Sequence, residues 1–231
     1  MTTEQPEQPD QLSPRLPETP RTRHTRLKAQ GSLHRPHLDA ILDAGFICHL
    51  GVLIDDHPVV IPTVYGRDET NLYLHGSVAS RSLAANPDAS VCVTVTHVDG
   101  LVLARSVFEH GVNYRSAMIH GVPRKITDPD EKLEGLRVLT EHVTPGQWDY
   151  ARRPDRRELA ATTLLALSLE EASVKTSSGP PEDGEGPDAE LPVWAGNLPL
   201  TWSWGTPAAD PQLAPGIPLP PHIAGFNRPY A

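Results

Sequence analysis

The chain has 231 residues, 38% of them hydrophobic, and a net charge of −9 at pH 7. This length favours one domain whose core needs no disulfide or metal to fold. The negative charge argues against nucleic acid as a partner, and the sequence has no apolar run long enough to span a membrane. Two cysteines and an N-terminus without the apolar stretch of a secretory signal predict a cytoplasmic protein.

Proline is concentrated at both ends of the chain, which predicts three regions. Residues 1–30 are predicted to be a disordered arm, residues 31–204 the folded domain with an acidic loop at 179–190, and residues 205–231 a proline-rich tail. The arm carries a basic run, Arg21–Lys28. This run either contacts an anion or is a solvated disordered tail, and its single apolar residue favours the second interpretation.

The first half of the domain predicts one helix and three strands. Residues 36–44 read as a helix with an apolar stripe, and residues 46–54 alternate like a half-buried strand. A second strand, 59–65, contains Pro62, which predicts an edge, a bulge or a wall facing a ligand. Residues 72–75 form a third strand, after which Ser77 is predicted to cap a short helix that ends near Asn86.

The second half adds further strands and two capped helices. Residues 91–96 read as a strand, and Asp99-Gly100 predicts a hairpin into residues 101–107. Another strand follows over 116–127, Asp128 and Asp155 each begin a helix, and residues 163–169 and 173–176 are late strands. Six or more strands joined mostly by short turns predict a mostly β protein with short helices, an antiparallel sheet or barrel.

Common catalytic and metal motifs are missing from the sequence. It contains no G-x-S-x-G, H-E-x-x-H, C-x-x-C or phosphate-loop lysine motif. Most of the eleven histidines are expected to be exposed or hydrogen-bonded, and no metal site is predicted. If a metal is bound, His49, His75 and His120 are the better candidates, because they lie in predicted strands.

Residues 75–81, which run from a strand into the predicted helix, carry the strongest local chemistry. Gly76 lets the backbone approach a ligand, Ser77 and Ser80 offer hydroxyls, and Arg81 offers a forked cationic donor for a phosphate. A capped helix with a surface arginine explains the pattern equally well. A second polar cluster comprises Asn113, Tyr114, Arg115 and Ser116; its alternative explanation is a turn in which Arg115 pairs with a carboxylate such as Glu109.

Three segments resemble the pyridoxamine 5′-phosphate oxidase-like flavoproteins: Pro58–Tyr65, Leu72–Arg81 and Asn113–Gly121. The chain is more narrowly similar to the flavin-nucleotide-binding branch grouped with nitroimidazole-resistance reductases. The resemblance extends over about residues 33–204. It implies an antiparallel six-stranded split β-barrel, a homodimer, and FMN bound where the subunits meet.

The resemblance also implies roles for individual residues. The isoalloxazine ring would be lined by Val60, Ile61, Pro62, Thr63, Val64 and Tyr65. His75 and Gly76 would contact the ribityl chain or the ring edge, and Ser80 and Arg81 would hold the phosphate. Arg115 and Ser116 would come from the partner subunit. Catalytic residues are not identified, although His75 and Tyr114 could hydrogen-bond near a ring.

Two departures from the family pattern reduce the number of activities that the resemblance leaves open. Ser82 stands where the oxidases have a lysine, and the chain ends in a proline-rich tail instead of a strand with the arginine and histidine that bind vitamin B6 phosphate. Pyridoxine phosphate oxidation is therefore not expected. The leading prediction is an FMN-dependent oxidoreductase of a small molecule. The alternatives are a non-catalytic flavin-binding module and a haem-binding or haem-degrading protein.

Overall fold

A computed structural model describes residues 14–80 and 88–228 of the chain. Within them, ten strands form one antiparallel sheet: β1 (Gly31–Ser32), β2 (Ile47–Ile54), β3 (His57–Arg67), β4 (Asn71–Ser77), β5 (Val91–Leu103), β6 (Gly111–Gly121), β7 (Arg124–Lys125), β8 (Thr162–Ser168), β9 (Ala172–Ser177) and β10 (Gly196–Pro199). The helices are α1 (Arg35–Ala44), α2 (Pro129–Val143), α3 (Gln147–Tyr150), α4 (Arg156–Ala161) and α5 (Pro221–Ala224).

The sheet runs β1-β9-β6-β5-β2-β3-β4-β8-β7, with β10 on the side of β5. The long strand β3 joins its two halves, since residues 57–64 pair with β2 and residues 65–67 pair with β4. This curled sheet is the predicted split barrel, with more strands among the described residues than the six expected. No helix in the described ranges is both long and apolar enough to cross a membrane.

The core lies on the concave side of the sheet. The even-numbered residues of β2 point inward, as their alternation predicts, and Cys48 and Leu50 are buried. Leu38 and Leu42 of α1 pack against them, while α2 lies on β3, β4 and β8. Both α2 and α4 begin at the predicted aspartate caps, Asp128 and Asp155.

The predicted hairpin at Asp99-Gly100 is wrong. Residues 91–103 form the single strand β5, and the register of its pairing with β6 shifts between Val98 and Gly100. Gly100 lies against β10, where an added Cβ would be 2.6 Å from the carbonyl oxygen of Leu198. The Asp-Gly pair thus forms a bulge under a further strand instead of a turn. Most of the helix predicted after Ser77 lies outside the described residues.

Residues 14–30, part of the arm that is predicted to be disordered, contact the folded domain. Leu16 is buried in the core, and its N–H donates to the carbonyl of Leu33 at 2.7 Å. Arg21 forms an ion pair with Glu171 and donates to Ser90 at 2.8 Å. A single buried leucine and a few charge-assisted contacts therefore fasten a segment whose composition alone predicts no order.

The last described residues return to the barrel. Arg228 donates to the backbone carbonyls of Asp43 at 2.8 Å, Gly45 at 2.6 Å and His142. Phe226 packs edge-on against Trp204, and Trp204 lies beside Phe46. The proline-rich segment is therefore fastened at its far end to the C-terminal ends of α1 and α2, where carbonyls lack helical partners.

Candidate functional site

The candidate site is the gap where β3 parts from β4. The ladder between these strands comprises Tyr65–Leu74, Gly66–Tyr73 and Arg67–Leu72. The N–H of Tyr65 donates to the carbonyl of Phe46, which lies next to β2. Successive residues of a strand direct their backbone N–H and C=O groups to alternate edges. The backbone groups of Val60 and Pro62 therefore point away from β2, beyond the end of the ladder between β3 and β4. Pro62 has no N–H to satisfy there, which explains how a proline is accommodated within a long strand.

The gap combines apolar side chains with backbone acceptors. Val60 is 66% exposed and Pro62 is exposed, whereas Ile61, Thr63 and Val64 are half-buried. The arrangement offers an apolar surface beside the backbone carbonyls of Val60 and Pro62. A flat ring with polar edges matches these two properties.

Tyr65 is not part of this surface. Its side chain is fully buried in the core and its hydroxyl donates to the carbonyl of Leu42 at 2.7 Å. Burial raises the pKa of this phenol well above its ordinary value. The residue therefore fixes α1 against β3, and its predicted contact with an isoalloxazine ring does not agree with where the side chain lies.

The turn after β4 is polar, as predicted. The Oγ of Ser77 accepts from the N–H of Ala79 at 3.2 Å, and the N–H of Ser80 donates to the carbonyl of Ser77 at 2.9 Å. His75 is exposed and Gly76 is half-buried in the preceding strand. Arg81, the predicted phosphate ligand, lies outside the described residues.

The polar cluster at 113–116 is bonded within its own chain. Asn113 donates to the carbonyl of Gly179 at 3.1 Å, and Ser116 donates to that of Lys175 at 3.4 Å. Arg115 pairs with a carboxylate, as in the alternative explanation, but this carboxylate is Asp99 and not the example given, Glu109. Strand β6 is separated from β3 by β5 and β2, about 14 Å at the usual strand spacing. Within one chain, this cluster therefore does not complete the gap at β3.

The convex side of the sheet is apolar, a feature that the sequence analysis missed. We call this side the outer face; strand register and alternation place on it Ile47, Leu53, Val60, Val98 and Met118, all more than one-third exposed. Tyr114 and Ser116 belong to the same face. His49, Thr94 and Thr96 lie between the apolar side chains on the same face. Exposed apolar side chains on several neighbouring strands are typical of an interface. The alternation in 47–54 and 112–120 carries the signal, but it does not show that these side chains stay exposed within the described part of the chain.

His120 lies at one end of the outer face. Its Nε2 is shielded from solvent and has no hydrogen-bond partner among the described residues. Burial, and then the nearby Arg21, lower the pKa of this imidazole. The ring borders a cavity of about 290 Å³ that is also lined by Gly51, Leu53, Val60 and Cys92. A neutral, unpartnered imidazole nitrogen beside an apolar surface is suited to a ligand or a metal.

The other candidate histidines differ from His120. His49 is exposed on the outer face, in register with Pro62, and His75 is exposed at the end of β4. No group of three metal-binding side chains comes together within residues 14–80 and 88–228. The described part of the chain thus offers single histidines, not a cluster with the ligand set of a zinc site.

Comparison with known proteins identifies relatives over nearly the whole chain. The flavocytochrome Anf3 from Azotobacter vinelandii is 35% identical with a TM-score of 0.86, and the match covers 90% of this chain and 97% of that one. The FAD and heme binding protein from Mycobacterium smegmatis is 38% identical with a TM-score of 0.81, covering 86% and 98%. A candidate 5-nitroimidazole antibiotic resistance protein from Bacteroides thetaiotaomicron, 21% identical with a TM-score of 0.51 over 61% of this chain and 82% of that one, shares the fold.

A search of curated proteins finds no significant match. The sequence pattern of the pyridoxamine 5′-phosphate oxidase family, in contrast, matches residues 34–176, well over half of the chain. This match confirms the resemblance that the segments around Pro62, Ser80 and Arg115 carry. Together with the two long structural matches, it shows that the chain belongs to the pyridoxamine 5′-phosphate oxidase family.

Proposed function

We propose that this protein is a flavin-dependent redox protein that binds its flavin in the gap between β3 and β4. The observation that carries the proposal is the near full-length similarity to a flavocytochrome and to an FAD and heme binding protein, both above 30% identity. When bound, a flavin supplies reversible one- and two-electron chemistry, while the protein supplies position and electrostatics.

The residues at the gap fit a flavin ring. Val60 and Pro62 provide an exposed apolar edge, and their backbone carbonyls can accept from the ring N–H. Ser77 and Ser80 lie in the turn that ends β4, where the hydroxyl of Ser77 can donate to a phosphate oxygen while its Oγ accepts from Ala79. His75 stands between these two regions on β4 and is suited to contact the ribityl chain.

The structural matches change which form of the flavin we propose. The sequence predicts FMN, whereas one of the two long matches is described as binding FAD. We propose FAD as the form to test first, because that relative is similar over 98% of its own length. Oxidation of vitamin B6 phosphate is not proposed, since the segment after Pro199 is proline-rich and residues 200–228 form no strand.

A homodimer is part of the proposal. The apolar outer face includes Val60 of the flavin gap, so a second copy on this face would cover both the face and the flavin. Tyr114 and Ser116, which share the face but lie about 14 Å from β3 in their own chain, would then be available to the partner's gap. Two-fold symmetry makes such sites form in pairs.

Haem binding is a second candidate, alone or beside the flavin. His120 favours it, because its Nε2 is buried, unpartnered among the described residues, and next to the apolar side chains of Leu53 and Val60. Both long structural matches are described as a flavocytochrome or a heme binding protein. In this arrangement His120 would hold the haem iron, and Leu53 and Val60 would provide an apolar surface for the macrocycle.

The absorbance spectrum of the purified protein tests these proposals together. We expect the absorption bands of oxidised flavin, release of FAD on denaturation, and bleaching of the bands by a reductant. Val60→Asp should lose most of the flavin, while Val122→Asp, at another exposed valine beyond the end of β6, should keep it. A chain that stays colourless and takes up neither FAD nor FMN on titration would disprove flavin binding.

Two further measurements separate the alternatives. A Soret band that forms on haem titration and is lost in His120→Ala, but not in His57→Ala, would establish the second cofactor. Reoxidation of the reduced flavin by oxygen or another acceptor, with turnover of a reductant, would distinguish a redox enzyme from a non-catalytic flavin-binding module.

A further inference from the structure

The end of the hairpin between β5 and β6 carries exposed apolar side chains. Val107 and Phe108, just beyond β5, are 85% and 87% exposed. Trp194 is 68% exposed and lies two residues before Gly196, which pairs with Leu103 at the end of β5. We call Val107, Phe108 and Trp194 the aromatic tip. Phe108 and Trp194 together expose roughly 300 Å², and apolar area of this size at one end of a domain is typical of an interaction site.

Hydrogen bonds to the backbone hold the aromatic tip in a fixed conformation. The buried carboxylate of Asp183 accepts from the N–H of Ser106 at 3.0 Å and from Nη1 of Arg105 at 3.1 Å. Oγ of Ser106 accepts in turn from the N–H of Phe108 at 3.2 Å. The backbone of the tip is therefore bonded, while the side chains of Val107 and Phe108 are left in solvent. A rigid apolar element of this kind loses little conformational entropy when a partner covers it.

The proline-rich segment forms a loop that is closed at its base. Trp204 packs edge-on against Phe226, with ring centroids 4.9 Å apart, so the chain between them leaves the barrel and returns to the same place. We call residues 205–220 the proline loop; five of them are proline, and residues 205–219 are all exposed. Leu213 and Leu219 of this loop are 44% and 53% exposed. The loop is thus anchored to its own chain but almost uncovered by it.

The aromatic tip and the proline loop have complementary surfaces. Aromatic side chains are the groups that recognise proline-rich segments, because a proline ring packs well on an aromatic face. Each proline also fixes its own φ, so the loop has little freedom to lose on binding. Within one chain the two surfaces do not cover each other, since Phe108 and residues 205–219 all remain exposed. A second copy of the chain supplies the missing half of each contact.

We propose that the proline loop of each subunit packs on the aromatic tip of a second copy of this chain. The inference rests on the homodimer of the proposed function and names the segments that exchange in it; it does not depend on bound flavin. The tip adjoins the outer face, because Leu101, 45% exposed and in register with Val112 and Leu198, extends that face toward the end of β5.

The area available is sufficient for a stable dimer. A loop that covers the tip buries about as much of its own surface as it covers, and two-fold symmetry repeats the contact. Two tips and two loops then bury on the order of 1,200 Å², the lower end of the range for stable interfaces, before any contribution from the outer face.

Sedimentation of the full chain measures the dimer dissociation constant and tests the proposal. Phe108→Asp at the tip and Leu219→Asp in the loop should each weaken dimerisation about tenfold or more, because each places an unpaired carboxylate in both contacts. Val122→Asp is the matched control: Val122 is 54% exposed, close to Leu219, and this variant should dimerise as the wild type does. All three side chains are exposed in their own chain, so urea unfolding should show that every variant folds.

Mixing the two variants tests the exchange itself. In a dimer of one Phe108→Asp chain and one Leu219→Asp chain, the unchanged loop of the first packs on the unchanged tip of the second, so one of the two contacts is intact. The mixture should therefore dimerise more tightly than either variant alone. A Phe108→Asp protein that dimerises like the wild type, or a mixture no tighter than the separate variants, would overturn the proposal.

The flavin content of the same samples separates this proposal from the proposed function. A flavin-containing dimer that neither Phe108→Asp nor Leu219→Asp weakens would overturn the exchange alone and leave the outer face as the interface. A wild-type monomer that holds flavin would overturn both the exchange and the homodimer. A colourless dimer that both variants weaken would support the exchange and count against flavin binding.

Discussion

Arg115 and Asp99 form a bidentate ion pair between the neighbouring strands β6 and β5. Nε of Arg115 donates to Oδ2 of Asp99 at 2.9 Å, and Nη2 donates to Oδ1 at 2.8 Å. Asp99 occupies the bulge of β5, between the residues where the register with β6 shifts. The pair therefore fixes that irregular register. It also engages Arg115, which the family resemblance predicts to contact the flavin of the partner subunit.

The first prediction concerns this pair. Arg115→Ala and Asp99→Ala should each destabilise the fold, and the double variant should cost less than the sum of the two. Because both groups are partly buried and the geometry is bidentate, we expect a coupling free energy of about 1 kcal/mol, at the upper end for exposed pairs. Urea unfolding of the four proteins measures it. Strictly additive losses would show that the pair does not fix the bulge.

Local sequence signals predicted most of the fold because they act within a few residues. The alternation in β2 and the aspartate caps of α2 and α4 depend only on neighbours in the chain, and all three are confirmed. The hairpin prediction at Asp99-Gly100 was wrong because the same dipeptide is compatible with a bulge as well as with a turn. Leu198, almost a hundred residues later in the chain, packs over Gly100, and this long-range contact favours the bulge over the turn.

The site was predicted less completely, for a different physical reason. Proline in a strand marked the open edge at Pro62, but whether Tyr65 points to the ligand or to the core depends on the side of β3 that α1 covers. The order around Leu16 and Arg228 rests on a few long-range contacts, which the amino-acid composition of these segments does not reveal.

The second prediction tests the packing of β10 over the bulge. Gly100→Ala places a methyl group 2.6 Å from the carbonyl oxygen of Leu198, so backbone must move and we expect a loss of about 1–3 kcal/mol. Gly205→Ala is the matched control, because an added Cβ there meets nothing within 4 Å. Thermal unfolding of both variants is the measurement. Equal stability in the two would mean that β10 does not pack on β5 as described.

The third prediction separates the core role of Tyr65 from a role at the flavin. Tyr65→Phe removes a buried hydrogen bond to the carbonyl of Leu42 and should cost about 1–2 kcal/mol of stability. The flavin content of the purified variant should equal that of the wild type, since the hydroxyl faces α1. Loss of flavin with unchanged stability would instead restore the predicted contact with the ring.

The fourth prediction concerns pH and the C-terminal segment. Burial, and then the adjacent Arg228, lower the pKa of His142 to about 4. Above its ordinary pKa of about 6.5 the imidazole is neutral in both states, and below that value only the unfolded chain gains the proton. Stability should therefore fall as the pH drops from 6.5 to 4, by up to about 3 kcal/mol from this residue.

The variant His142→Gln isolates this contribution. It retains a donor for the carbonyl of Gly45 but cannot titrate, whereas His97 and His120, whose pKa values are also lowered by burial, remain in both proteins. The difference in unfolding free energy between wild type and variant, measured by urea at pH 7 and at pH 4.5, should shrink or reverse on acidification. A constant difference would rule out His142 as a source of acid sensitivity.

The last prediction concerns the outer face and its link to the flavin. Met118 lies on β6 in register with Thr94 and, through β5, with His49 and Pro62. A glutamate at this position would place two like charges against each other or against apolar surface at a two-fold interface. Met118→Glu should therefore convert a dimer into a monomer, measured by light scattering, without unfolding the barrel, because the side chain is already 41% exposed within its own chain.

The same variant connects assembly to cofactor binding. If the partner subunit covers the flavin gap, the monomeric Met118→Glu protein should also lose most of its flavin, although Met118 lies three strands from Val60. The control is Val122→Glu, which adds the same charge beyond the end of β6 and should leave both assembly and flavin content unchanged. A monomeric Met118→Glu protein that keeps its full flavin content would show that each chain holds the flavin alone, and the proposed role of Tyr114 and Ser116 across the interface would be abandoned.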